Sequence, residues 1–158
     1  MLELAADSAF LFPDTEIVFG KLAQAGWRDW PQRDALAAFL GAYWTRALSC
    51  YSGVCTELCA LAAADADMAP YLEEWGHLTS ERSLHNLHEF VSGELAWRRG
   101  RPRLLNAFWD VSSRPYRQVV GWLTGGAAGA AVSAAFARTD DEAALRLLAE
   151  IDALISPS

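Results

Sequence analysis

The sequence predicts an all-α protein, a single bundle-like domain of about seven to nine helices over residues 1–158, and three observations carry that expectation. Apolar residues return at i, i+3, i+4 and i+7 along most of the chain. Helix-starting residues (Pro, Ser, Thr, Asp) and helix-ending glycines bracket these stretches at ordinary helix lengths of about 8–20 residues. Strictly alternating runs, the signature of a half-buried strand, are almost absent. With 53% hydrophobic and 21% charged residues in 158, the chain has material for a substantial core and too little charge for disorder.

Taken in order, Pro13 and Asp14 open a short helix carrying Ile17, Val18 and Leu22, closed by Gly26. The clearest helix follows. Pro31 suits a first turn and Asp34 suits the positive end of the helix dipole. Leu36, Phe39, Leu40, Tyr43, Trp44, Ala47, Leu48 and Tyr51 then form one stripe running to Gly53. Residues 54–66 and 70–78 read as two shorter helices separated by Asp65, Asp67 and Pro70. A further helix starts near Ser80 and runs toward Trp97, with Leu84, Leu87, Val91 and Leu95 inward and Gly93 as a weak point.

Gly100 and Pro102 break the chain in an arginine-rich turn that would permit two lobes, although the second part is short and one domain is expected. Leu104 to Val111 reads as a short helix, and Ser112 or Ser113 with Pro115 opens another whose inward face is Tyr116, Val119, Val120 and Leu123. Gly125 and Gly126 end it. In the alanine-rich stretch that follows, Gly125, Gly129, Ser133 and Ala137 recur every fourth residue, a spacing that lets helix backbones approach closely. Residues 118–137 are uncharged, but their glycines, alanines and hydroxyls make them too weakly apolar for a membrane span. A capping box from Thr139 to Glu142 starts the last helix, with Leu145, Leu148, Ile151 and Ile155 as its stripe.

The three histidines, His77, His85 and His88, fall within twelve positions among Glu73, Glu74, Glu81 and Glu89. On one continuous helix, residues 77, 81, 85 and 88 would sit at roughly 0°, 40°, 80° and 20° and share a face. A tetrahedral metal site needs three or four converging ligands, and one helix supplies two comfortably. Thr79 and Ser80 are N-cap types that would start a new helix and carry His77 off the stripe. The expectation is therefore a hydrogen-bonded core or interface His88, with His77 and His85 at the surface. The alternative is a metal site built from His77, Glu81, His85 and His88. Cys50, Cys55 and Cys59 cannot all pair within one chain and read as small hydrophobes, the alternative being a zinc site of Cys55, Cys59 and a histidine.

A net charge of −7 argues against nucleic acid as a partner. Against that background, Arg98, Arg99, Arg101, Arg103, Arg114 and Arg117 face one acid, Asp110, giving residues 98–117 a net +5. Trp97, Trp109 and Trp122, three of seven tryptophans, flank the segment and suit a contact surface or cavity wall. Residues 1–75 hold eleven acids against four bases, so salt partners within the chain or on a sister subunit are ample. Glu3 and Asp7 interrupt the apolar start from Met1 to Phe12, so a secretory signal is not expected and a cytoplasmic location is.

No nucleophile elbow, phosphate loop or dinucleotide fingerprint occurs in the sequence. The functional expectation is a non-catalytic, cytosolic helical protein with a regulatory role that binds another protein or its own copy, as in a homodimer. No cofactor, nucleic acid or membrane is expected. The contact would use Gly129 and Ser133 on the small-residue helix, or the Arg and Trp surface of Trp97, Arg98, Arg99, Arg101, Arg103, Trp109, Arg114 and Arg117. The alternative is a metal-dependent helical-bundle enzyme at the histidines. A third reading is a tryptophan-lined pocket for an apolar ligand.

Overall fold

Helical periodicity of the sequence becomes helix over most of the chain that the structure, a computed structural model, describes, namely residues 14–50 and 54–156. Eight α-helices are present there. They are α1 (Thr15–Gln24), α2 (Arg33–Leu48), α3 (Cys55–Ala63), α4 (Ala69–Gly76), α5 (Glu81–Glu94), α6 (Arg114–Thr124), α7 (Ala127–Phe136) and α8 (Glu142–Ile155), with a 3₁₀ turn at Trp27–Asp29. A two-stranded antiparallel hairpin, β1 (Leu95–Arg98) and β2 (Arg101–Leu104), lies between α5 and α6. The all-α expectation holds, with this hairpin as its one exception among the described residues. Pro13, Tyr51, Gly53 and the segment Met1–Phe12 lie outside them.

The interior is one contiguous cluster that draws on all eight helices. In α1, Val18, Phe19 and Leu22 turn inward while Ile17 is exposed. The buried fourth member of that face is Glu16. The α2 stripe packs as its spacing requires: Leu40, Tyr43, Trp44 and Leu48 are buried, and Leu36, Phe39 and Ala47 lie against them. Trp44 and Trp75 are fully buried and meet edge to face, with ring centroids 5.4 Å apart at 76°. Each indole satisfies its N–H on a backbone carbonyl, Trp44 on Tyr71 at 2.9 Å and Trp75 on Ser83 at 3.1 Å. α1 packs on α3, α5 on α8, and α7 on both α6 and α8.

Ser80 caps α5, accepting from the Ser83 amide at 3.1 Å, so the chain breaks where Thr79 and Ser80 suggest. Four expectations are corrected. First, α5 ends at Glu94, short of Trp97, because the chain enters β1 at Leu95. Second, the arginine-rich break is a tight hairpin. Arg99 (φ 52°) and Gly100 (φ 72°) are both left-handed, the pattern of a two-residue turn whose twist matches its strands. Pro102 pairs with Trp97 two places from the turn, and the missing N–H faces the outer edge and costs no ladder bond.

Third, Leu104–Val111 is no helix. Leu104 belongs to β2, and the residues after it fold as turns because side chains capture the local amides. Asn106 Oδ1 accepts from the Phe108 amide at 2.9 Å, and Asp110 Oδ1 accepts from the Ser112 amide at 2.9 Å. Fourth, Asp141, not Thr139, caps α8: its carboxylate accepts from the Ala144 amide at 2.8 Å, and Thr139 Oγ1 accepts from the Asp141 amide.

Ser113 caps α6 as expected. The uncharged stretch 118–137 is two helices meeting at 43°, and no single helix among the described residues is long and apolar enough to cross a membrane. Gly126 makes the bend at φ 95°, a backbone conformation that residues with a side chain rarely adopt, although the space around it is open. Gly126→Ala is expected to lower stability by about 1–2 kcal/mol in a urea melt. The same change at Gly129, which has open space around it and an ordinary φ, is expected to be neutral or mildly stabilising.

Candidate functional site

The structure separates the histidines. His77 is exposed at the end of α4, where its carbonyl accepts from Arg138 at 2.9 Å. His85 lies 3.7 Å from Glu81, one turn back on α5. His88 reaches across to α8, its Nε2 hydrogen-bonding Glu150 Oε2 at 2.7 Å, and its side chain is about three-quarters buried. Each ring has its own surroundings, and no group of three His, Cys, Asp or Glu side chains among the described residues is arranged to hold a metal ion. His88 therefore acts as a polar tie between α5 and α8.

The arginine segment is brought together in a different way. Residues 95–104 form the hairpin, anchored by Trp97, whose Nε1 donates to the Leu154 carbonyl on α8 at 2.9 Å. Arg98, Arg99, Arg101 and Arg103 are all exposed on it. None of the four guanidinium groups makes a hydrogen bond or ion pair among the described residues. Among the described residues of the chain, the expectation that acids absorb the arginines is met by Arg114 alone of the six. Arg114 pairs with Asp67 at 3.0 Å, and Arg117 donates to the Ser112 carbonyl.

At the base of the hairpin, the loop after β2 turns Leu105, Phe108 and Val111 outward, exposed by 53%, 42% and 60%. Trp109 points the other way. It is buried edge-on against Tyr116, with an Nε1–H that finds no acceptor among the described residues. Unpaired guanidiniums and exposed apolar side chains thus lie next to each other in one short segment.

Gly129 and Ser133 do not join this surface. They sit on α7, which packs on α4, α6 and α8, whereas the hairpin packs on α5 and α6. Nor do they make the expected tight contact: Ala128, Val132 and Ala135 turn inward, while Gly129 is half-buried and Ser133 exposed. Val132 decides the rotation, because burying its side chain removes more apolar area from water than a glycine and serine row offers.

One further feature escaped the sequence reading, and a second was anticipated only in part. A polar nest lies between α1, α2 and α3. Burial raises the carboxyl pKa of both Glu16 and Glu57, and the charge of Glu16 pushes Glu57 further the same way. Burial and the same two acids hold the Tyr43 hydroxyl protonated. Cys59 is held as a thiol by its hydrogen bond to Cys55 and by burial, and Cys55 Sγ in turn accepts from Asn106 Nδ2 at 3.5 Å. Glu57 Oε2 is buried with no hydrogen-bond partner among the described residues.

A folded-state pKa above the unfolded value means that this carboxyl favours folding fully only below about pH 4.5, and that the benefit fades as pH rises through the raised value. Glu57→Gln is therefore expected to raise the Tm at pH 7–8 by about 2–4 °C, the equivalent of about 1 kcal/mol, and to change little at pH 4. Melting curves across pH check both arms.

The second feature is a cleft of about 480 Å³ between α4, α6 and α7, with Trp122 in its wall. Trp122 stacks on Trp75 at 5.7 Å and 14°, so one indole face is covered from within. Only the expectation that Trp122 forms a cavity wall anticipated it. Comparison with protein-family models, with curated proteins and with solved structures finds no match to this chain.

Proposed function

We propose that this is a helical docking protein that engages an acidic protein surface, that of a partner or of a second copy, through the arginine hairpin and the apolar loop at its base. The observation that carries the reading is the state of Arg98, Arg99, Arg101 and Arg103: exposed, and without an ion pair among the described residues. In a chain of net charge −7, such arginines would gain from their own acids if geometry allowed it. The hairpin instead holds them out together. A positive patch of this kind steers an acidic partner and fixes its orientation, while Leu105, Phe108 and Val111 supply apolar area for the contact to last.

The chain's acidity favours protein over nucleic acid, because phosphate affinity grows with the number of cations placed on the backbone and is opposed by the rest of the molecule's charge. The test is a photo-crosslinking amino acid placed at Phe108 in cells of the protein's own source. A discrete protein adduct is expected, and it disappears when the four hairpin arginines are replaced by glutamate. Labelling of lipid or nucleic acid alone would overturn the proposal. An adduct of twice the chain mass identifies the second copy.

A further inference from the structure

We infer that the Trp122 cleft is a second binding site, independent of the hairpin, for a small organic cation with an apolar body. The cleft exists because its walls are small. Ala69, Gly76, Ala127 and Ala131 line it beside Leu72. A Cβ at Gly76 would meet the Trp122 ring at 3.7 Å and the Ala131 Cβ at 3.8 Å, so larger side chains here would close the space over the indole. Its volume of about 480 Å³ lies in the range of sites for small organic molecules.

The polar groups at the rim set the sign of the ligand. Gln118 is held by residues outside the cleft, donating to Asp67 at 2.6 Å and accepting from the Met68 amide at 3.1 Å. Glu73 has no hydrogen bond or ion pair among the described residues, nor does the His77 side chain, and Trp122 Nε1 has no acceptor there. No Lys or Arg lines the cleft. A carboxylate without a partner among the described residues, in the same cleft as an indole, attracts a cation through its charge while the ring attracts it through its quadrupole. The apolar walls then take the body of the ligand, and Trp122 Nε1 is available to an acceptor on it. An anion would find repulsion at Glu73 with no lysine or arginine in the lining to offset it.

Phenethylammonium is a suitable probe, with neutral 2-phenylethanol as its control of like size. Calorimetric titration at low salt is expected to give a Kd for the cation of about 1 mM or better, at least about fivefold tighter than for the alcohol. Glu73→Gln, at an exposed position, is expected to erase that preference while leaving the melting temperature in place. Ala131→Leu, which fills the cleft, is expected to remove binding of both probes, its folding being checked by circular dichroism. Equal affinity for cation and alcohol, no heat from either, or a preference untouched by Glu73→Gln would overturn the inference. So would tighter binding of a peptide spanning residues 97–103, which would make the occupant an arginine of another chain. Apart from that peptide arm, the hairpin reading stands or falls separately, since neither Glu73→Gln nor Ala131→Leu touches it.

Discussion

Trp75→Ala is expected to produce the largest loss of stability of any single substitution in this chain, about 3–5 kcal/mol. Trp75 is fully buried and joins four helices. From α4 its ring meets Trp44 of α2 edge-on, Phe90 of α5 edge-on at 5.6 Å, and Trp122 of α6 in a stack at 5.7 Å. Its Nε1 holds the Ser83 carbonyl in the first turn of α5. Alanine removes the ring from all three aromatic contacts, each worth about 0.5–1.5 kcal/mol beyond area burial, and leaves a void that the surrounding rings cannot fill.

Against a total stability of about 5–15 kcal/mol for a domain of this kind, such a loss brings the chain near the point of unfolding. The Tm should fall by about 6–20 °C. Trp75→Phe keeps a ring and loses the N–H donor, so it is expected to cost clearly less. Trp30→Ala provides the contrast: Trp30 is 37% exposed and its N–H bonds a carbonyl five residues back, so a cost of about 1 kcal/mol or less is expected. Urea unfolding of the three variants side by side decides the matter. A Trp75→Ala loss under about 1 kcal/mol would mean that the aromatic cluster is not the centre of the fold.

The contrast between Trp75 and the hairpin shows what a single sequence makes legible. Trp44 and the stripe around it were readable because 3.6-residue periodicity is a local property, repeated over four turns and reinforced by each added apolar residue. Ser80 and Ser113 were readable because a cap acts within three residues. The hairpin was not, although its turn is equally local. Arg99 stands where Asn or Asp usually takes the left-handed position, strands of four residues are too short to show alternation, and Pro102 looks like a breaker until its partner is known.

Leu104–Val111 misled for the opposite reason: its apolar spacing suits a helix, while Asn106 and Asp110 redirect the amides into turns. The candidate sites depend on distance in space, which the sequence holds only implicitly. The six arginines were visible as a charge excess, but their division into four free and two engaged required knowing that Asp67, 47 residues before Arg114, lies beside it. Glu16 and Glu57 were invisible as a pair, because nothing at either position signals that α1 and α3 pack together.

Replacing Arg98, Arg99, Arg101 and Arg103 together by glutamate is expected to weaken docking by about a hundredfold or more at physiological salt while leaving the fold unchanged. The two halves of that statement rest on one fact. These side chains make no ion pair among the described residues, so reversing their charge breaks no salt bridge there, and the Tm should move by no more than about 2 °C. Trp97 still ties the hairpin to α8, and Arg99 and Gly100 occupy a turn whose Gly100 is unaltered.

Toward an acidic surface, however, the substitution turns four attractions into four repulsions, a change that acts on the association rate first and grows steeply as salt is lowered. Binding of the unaltered chain should therefore weaken as salt rises, and the two proteins should converge near 1 M salt, where charges more than about 3 Å apart are screened. Phe108→Asp supplies the complementary case. It adds one negative charge and removes exposed apolar area, so its effect on dissociation should persist at high salt. A reversal variant that binds as tightly as the original, or a binding strength indifferent to salt, would place the docking surface elsewhere on the molecule.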